Sequence, residues 1–137
     1  MEVQKTALYE THKNLGARFA PFAGYEMPIQ YSDGVVKEHI STRTYAGFFD
    51  VSHMGQLYIE GGSSVEDALE KIIPADLKNL DMNQSKYSFL LNLEGGIIDD
   101  LIITRQKHGF YIVLNAACKD NDICLLYTSD AADEEDS

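Results

Sequence analysis

The sequence predicts an α+β fold, in which an antiparallel sheet is flanked by helices, and two observations carry this prediction. Three apolar runs, KYSFLLNL, GIIDDLIITR and FYIVLN, follow one another with only short breaks around EGG and KHG. Glycine-containing breaks this short are typical of an antiparallel meander. The second observation is a set of helical patterns that lie outside these runs. Helices and strands in separate stretches of one chain indicate the α+β class.

The clearest helix is predicted in SSVEDALEKII. Its start matches a capping box between Ser63 and Glu66, and Pro74 follows as a stop signal. Four apolar residues fall on one helical face: Val65, Ala68, Leu69 and Ile72. This face is expected to pack against the sheet.

The first half of the chain is predicted to be mixed. TALYETHKNLG indicates a helix with Thr6 as N-cap, and RFAPFAGYEMPIQY indicates short extended pieces around turns, because proline and glycine interrupt it. A further helix is predicted over residues 33–46, with Val36 and Ile40 near helical spacing. FFDVSHMGQLYIEGG then indicates a strand closed by two glycines.

Charge excludes one class of partner. The 137 residues contain 22 acidic and 11 basic side chains, for a net charge of −11. A nucleic-acid partner is not expected, since binders of the phosphate backbone carry clustered lysine and arginine.

Neither a membrane nor an oxidising compartment is expected. No apolar run approaches the ~20 residues of a membrane span, and the start of the chain resembles neither a secretion signal nor a transit peptide. The two cysteines, Cys118 and Cys124, are six residues apart, which fits neither a disulfide framework nor a zinc site. The cytoplasm is therefore the expected location.

The end of the chain does not match the rest. CLLYTSDAADEEDS shows no helical or strand period, and CLLYTSDAADE resembles the conceptual translation of a transposase adapter used in sequencing libraries. Residues 1–123 are therefore predicted to form the domain, and residues 124–137 to be a non-native tail. The alternative is a genuine solvated acidic tail.

The run GGIIDDLIIT places two acids, Asp99 and Asp100, inside an apolar strand. Adjacent strand residues point to opposite faces, so the two carboxylates are not expected to line one pocket unless a bulge intervenes. Both faces of the strand are apolar, which predicts a strand covered on both sides. An ionised carboxylate there needs donors, so it either orients a ligand that carries an amine or caps backbone amides.

Other polar motifs are weaker candidates. In DVSHM, Asp50 and Ser52 are expected to close a turn through their side chains, and no metal site is expected because no second histidine stands at ligand spacing. Asn115, at the end of the last apolar run, either caps a helix or contacts the edge of a heterocycle.

Taken in order, LYETHKNLGARFAPFAGYEMPIQY, FFDVSHMGQ, GGIIDDLIIT and YIVLNAAC closely resemble the amino-terminal part of the aminomethyltransferase (T protein) family of the glycine cleavage system. The resemblance covers residues 6–122. It implies an amino-terminal fragment of a folate-binding domain. It also implies an enzyme that transfers a one-carbon unit from the aminomethyl-lipoyl H protein to tetrahydrofolate and releases ammonia.

The resemblance also implies a set of site residues. Asp100 is carried over as the catalytic acid, which positions the folate nitrogen and supports an iminium-like carbon. Asn115 is carried over as a polar contact of the folate pocket, and three residues are carried over as apolar walls: Met54, Tyr87 and Val113. The family members are more than twice as long, so this chain is expected to hold half of the site and to be inactive alone.

Two other functions stay open. A non-catalytic folate-binding relative that assists iron–sulfur assembly shares the superfamily, and its distinguishing cysteine motif would lie beyond residue 137. The other is a stand-alone α+β binding module.

Overall fold

A computed structural model describes residues 3–134, and side chains up to residue 128. The chain divides into two compact units, Met1–His53 and Met54–Ser137. Helices and antiparallel sheets alternate in both, which confirms the predicted α+β class. Among the described residues, no helix is both long enough and apolar enough to span a membrane.

The first unit is built on a hairpin. It contains four elements: α1 (Tyr9–Asn14), β1 (Arg18–Phe22), β2 (Tyr25–Gln30) and α2 (Gly34–Thr44). The hairpin turn falls at Ala23 and Gly24, which have φ values of 50° and 81°. Positive φ at both central residues is the requirement of a tight turn whose twist matches the paired strands. The extended pieces predicted between the two helices are confirmed.

Both helices of this unit differ in detail from the prediction. Thr6 is not an N-cap, because α1 begins at Tyr9 and the Thr6 hydroxyl donates instead to Asp50. Helix α2 lies inside the predicted range, but it has no buried residue, and Val36 and Ile40 are exposed. The helix has three apolar residues, Val35, Val36 and Ile40, which are too few among polar neighbours to form a stripe that packs.

The second unit is a four-stranded antiparallel sheet with two helices. Its elements are β3 (Gly55–Glu60), α3 (Ser63–Ile72), β4 (Ser85–Leu91), β5 (Ile97–Gln106), β6 (Gly109–Leu114) and α4 (Lys119–Glu134). The strand order is β3-β6-β5-β4, so the predicted meander of the last three strands is confirmed and β3 adds to its β6 edge.

One face of this sheet carries the core. The buried apolar cluster combines residues of α3, the loop after it, the sheet and α4: Val65, Leu69, Ile73, Leu77, Leu80, Leu90, Leu101, Ile103, Phe110, Ile112, Leu114 and Leu126. The opposite face is open, since Ile98 and Ile102 are 47% and 45% exposed. The prediction that β5 is covered on both sides is therefore wrong for the described residues.

Helix α3 packs as predicted but begins differently. Val65, Ala68 and Leu69 are buried. The capping box is wrong, because Gly62 is the N-cap and the Glu66 carboxylate binds Arg105 at 2.7 Å instead. A charge-assisted contact with a distant arginine is stronger than a local backbone contact, so the tertiary partner wins.

Helix α4 continues into the segment predicted to be irregular. It runs to Glu134 without a break at residue 123, and Leu126 is only 1% exposed against the core. The expectation that residues 124–134 lack helical structure is wrong, whereas residues 135–137 lie outside the described residues.

Candidate functional site

The open face of the four-stranded sheet carries the residues that the sequence singled out. Cross-strand partners share a face of an antiparallel sheet. Tyr87 pairs with Ile102, Ile102 with Val113, and Val113 with Gln56, so these four residues form one row across all four strands. Tyr87 is 60% exposed in this row.

A second row on the same face contains Asp100. It begins with Phe89, the partner of Asp100. The strand pairing stops one residue short of Asn115, at Leu114. Asn115 directly follows β6, and Met54 directly precedes β3. Tyr87, Val113 and Asp100 therefore fall on one face of one sheet, in two adjacent rows, and Met54 and Asn115 lie beside the strand ends next to Asp100.

The Asp100 carboxylate is held by two donors, one on β4 and one directly after β6. Its Oδ2 accepts the Tyr87 hydroxyl at 2.7 Å, and its Oδ1 accepts the side-chain amide of Asn115. The bond to the carboxylate raises the pKa of Tyr87 above its ordinary value. Tyr87, predicted as an apolar wall, thus also acts as a hydrogen-bond donor to the acid.

Asp99 lies on the other face, as strand geometry predicts, but it is not isolated from Asp100. Its Oδ1 accepts both the Asn115 amide and the Asp100 backbone N–H, each at 2.9 Å. Burial alone would raise the pKa of Asp99, but hydrogen bonds, chiefly those from Asn115 and the Asp100 N–H, together outweigh burial and lower it. One amide therefore joins the two carboxylates although they point to opposite faces.

Asn115 can make this bridge because β6 has ended. The last pair of β5 and β6 is Leu101 with Leu114. Beyond it, the Asn115 side chain donates to the Asp100 carbonyl oxygen at 3.3 Å. The side chain of Asn115 thus satisfies the strand end and both acids.

Beneath the bridge lies an acid that the sequence did not point to. Asp122, in the first turn of α4, is 1% exposed and lies next to Asp99. The pKa of Asp122 is raised to about 7. Burial is the largest cause of this shift, and the interaction with the Asp99 carboxylate adds to it. The Asp99 charge likewise raises the pKa of the Cys118 thiol. Nothing in the local run KDND distinguishes a buried acid, and only its spacing of four from Cys118 hints at a shared helix face.

The open face has a defined chemical character. Tyr87 and Phe89 meet edge to face with ring centroids 5.4 Å apart, beside the exposed Ile98 and Ile102. Asp100 is the acid set into this apolar surface. Each carboxylate oxygen has two lone pairs, so an oxygen that accepts one internal bond still accepts an N–H from a ligand. Such a face suits a flat ligand that carries an amine.

Asp50, in the first unit, is part of a separate network. Its Oδ1 accepts the Ser52 N–H at 2.9 Å, which confirms the predicted turn, and its Oδ2 contacts His12 at 2.9 Å. Burial opposes ionisation, but the bonds from Ser52, His12 and Thr6 hold the pKa of Asp50 far below its ordinary value. Among the described residues, no group of three or more His, Cys, Asp or Glu side chains is arranged to hold a metal ion.

Comparison with known proteins identifies the family. The model of the family described as GCVT N-terminal domain matches residues 8–133. The chain belongs to the GCVT N-terminal domain family. The solved glycine cleavage system aminomethyltransferase T from Bartonella henselae is similar to this GCVT domain with a TM-score of 0.87 and 43% identity, over 93% of this chain and 35% of that one.

Curated relatives of the GCVT domain are also named aminomethyltransferase. The mitochondrial aminomethyltransferase of Dictyostelium discoideum is 52% identical over 122 residues, which are 89% of this chain and 30% of that protein. The aminomethyltransferase of Rubrobacter xylanophilus is 43% identical over 121 residues, 88% of this chain and 32% of that protein. The chain thus spans about a third of the length of these relatives.

Proposed function

We propose that this GCVT domain forms part of an aminomethyltransferase of the glycine cleavage system. In this reaction the one-carbon unit of the aminomethyl-lipoyl H protein passes to tetrahydrofolate, and ammonia leaves. The observation that carries the proposal is the Asp100 carboxylate, fixed by Tyr87 and Asn115 on an open apolar face. That face fits a reduced pterin, which is flat and carries N–H donors.

Asp100 is the proposed catalytic residue. Its two oxygens are already oriented by Tyr87 and Asn115, so little reorganisation is needed when positive charge develops on the transferred carbon. The same carboxylate accepts an N–H of the folate and thereby orients the attacking nitrogen. Val113, in the neighbouring row, and Met54, directly before β3, are proposed to line the pocket.

The proposed partner is the lipoylated H protein, and no nucleic acid or membrane is proposed as a partner. The cytoplasm remains the proposed location. The Dictyostelium relative is named as mitochondrial, so the source organism decides between these two compartments.

The test needs a polypeptide of the relatives' length. Residues 1–123 replace the matching segment of the Bartonella henselae aminomethyltransferase, with which the chain shares 43% identity. The chimera is assayed for methylene-tetrahydrofolate formation with aminomethylated H protein, and tetrahydrofolate binding is measured by calorimetry. We expect transfer in the chimera. In Asp100→Asn, binding is expected to stay within about fivefold while turnover falls about 10²-fold or more.

The control is Asp81→Asn, an exposed acid in the loop before β4, which is expected to leave both quantities unchanged. Unchanged turnover in Asp100→Asn would refute the role given to this acid. Tetrahydrofolate binding by the unsubstituted chimera without transfer would instead favour the non-catalytic folate-binding relative.

A further inference from the structure

Beneath the Asp100 site, three buried carboxylate oxygens have no hydrogen-bond donor among the described residues. Among the described residues, neither oxygen of Asp122 meets an N–H or O–H donor, and the same is true of Asp99 Oδ2. Asp99 Oδ1, by contrast, accepts two N–H bonds. Leaving buried acceptors without a donor is costly in free energy. Protonation of one of the two carboxyls supplies the missing donor.

A single proton resolves the shortage. If Asp122 carries it, its O–H donates to Asp99 and pairs one oxygen of each acid. Two adjacent carboxyls that are withdrawn from water do not both ionise readily, as in carboxyl dyads that share one proton. The pKa values agree in direction, since that of Asp122 is raised to about 7 and that of Asp99 is lowered. The titration therefore belongs to the pair.

Two titratable residues neighbour the pair: Cys118, just before α4, through its thiol, and Asp100 of β5 through its backbone N–H. The end of β6 contributes the uncharged Asn115 amide, and β4 places the apolar Leu90 opposite Asp99.

We propose that Asp122 is a positioning residue of the Asp100 site. Asp122 and Asp99 share one proton, which holds Asp99 as the acceptor of Asn115, and Asn115 in turn holds Asp100. Loss of the shared proton places two negative charges side by side, so Asp99 turns away and the amide that it shares with Asp100 loses one acceptor. The site is thus best ordered below neutral pH and loosens as the pH rises. The effect on transfer rests on the proposed function, whereas the shared proton does not.

The shared proton is tested on the 137-residue chain by NMR, with ¹³C-labelled aspartate carboxyls and ¹⁵N-labelled asparagine. We expect one carboxyl step within about one unit of pH 7, and a shift of the Asn115 amide signal with the same midpoint. In Asp122→Asn both changes should vanish, because an amide donates to Asp99 at every pH. Asp120→Asn, an exposed acid two residues earlier in α4, is the control and should retain both. A chain in which no aspartate titrates above pH 6 overturns the proposal, as does an Asn115 signal that is constant with pH.

The positioning role is tested in the chimera through the pH profile of kcat. The unsubstituted chimera should lose activity as the pH rises through about 7, whereas Asp122→Asn should remove this limb and keep at least about half of the maximal kcat. Asp122→Leu, which offers no donor to Asp99, should lower kcat more than tenfold with a smaller change in KM. Persistence of the limb in Asp122→Asn would refute the positioning role. A chimera without any transfer contradicts the proposed function, and the NMR titration then still decides the shared proton.

Discussion

Replacing Asn115 by leucine removes the amide that joins Asp99 to Asp100 while keeping the size of the side chain. The amide donates to a carboxylate oxygen of each acid, and a hydrogen bond to a charged group contributes about 1.5–3 kcal/mol. Because one nitrogen serves both acids, the two contributions are not additive. We expect the free energy of opening this unit to fall by about 3 kcal/mol, which is about a 150-fold change in its opening equilibrium.

Hydrogen–deuterium exchange of the core amides of β5 and β6 measures this loss, because these amides report the opening of the second unit. The cost should depend on pH. The hydrogen bond from Asn115 helps to keep the pKa of Asp99 below the ordinary 3.8, so its stabilising effect is present above that pH. The effect is lost as the pH falls through the lowered pKa of the folded state, and the difference between wild type and variant should shrink there.

Asn79→Leu is the matched control. Asn79 also donates its side-chain amide to a carboxylate, that of Asp76, at 2.9 and 3.1 Å, but this pair is exposed. Its loss should change exchange by less than about threefold, because exposed pairs contribute little. Equal effects of the two substitutions would refute the reasoning that the partly buried Asn115 bridge organises the site.

Two further predictions concern other parts of the chain. Asp50→Asn should destabilise the first unit by roughly 2–3 kcal/mol at pH 7, since His12, Ser52 and Thr6 all bind the charged form. Hydrogen exchange of the α1 and β2 amides should show that the difference between wild type and variant fades as the pH falls below about 4. A difference that grows as the pH falls would contradict this prediction. We also propose that residues 124–137 are non-native, so genomic DNA of the source should continue past Ile123 with a different sequence. Genomic DNA that encodes CLLYTSDAADE at this position would show the tail to be natural.

The sequence predicted the parts of the fold that depend on local periodicity. Alternation and short glycine breaks predicted the meander of β4, β5 and β6, and the period of α3 predicted its buried face. Both cap predictions failed because distant residues bind the capping side chains. The Thr6 hydroxyl donates to Asp50, 44 residues away in sequence, and the Glu66 carboxylate accepts a hydrogen bond from Arg105, 39 residues away. No local pattern contains such partners.

The site was predicted in a different way. Strand geometry alone placed Asp99 and Asp100 on opposite faces, and the resemblance supplied the other residues. Register, which aligns Tyr87 with Val113 through Ile102, depends on pairing between strands and cannot be counted along one of them. Asp122 was missed because its burial arises only when α4 packs on the sheet. The open face of β5 was missed because an apolar residue pattern does not show what covers it.

The Asn115 bridge also constrains how this segment tolerates mutation. Asp99 and Asn115 contact each other, so their substitutions should be epistatic. Without the Asn115 amide, Asp99 loses a hydrogen-bond donor and its carboxylate becomes destabilising. A scan of single substitutions would therefore score Asp99 as severely as Asp100, although Asp99 points away from the open face. Loss of activity at Asp99 in such a scan would report a displaced neighbour, and only paired substitutions would separate the acid that performs chemistry from the acid that supports it.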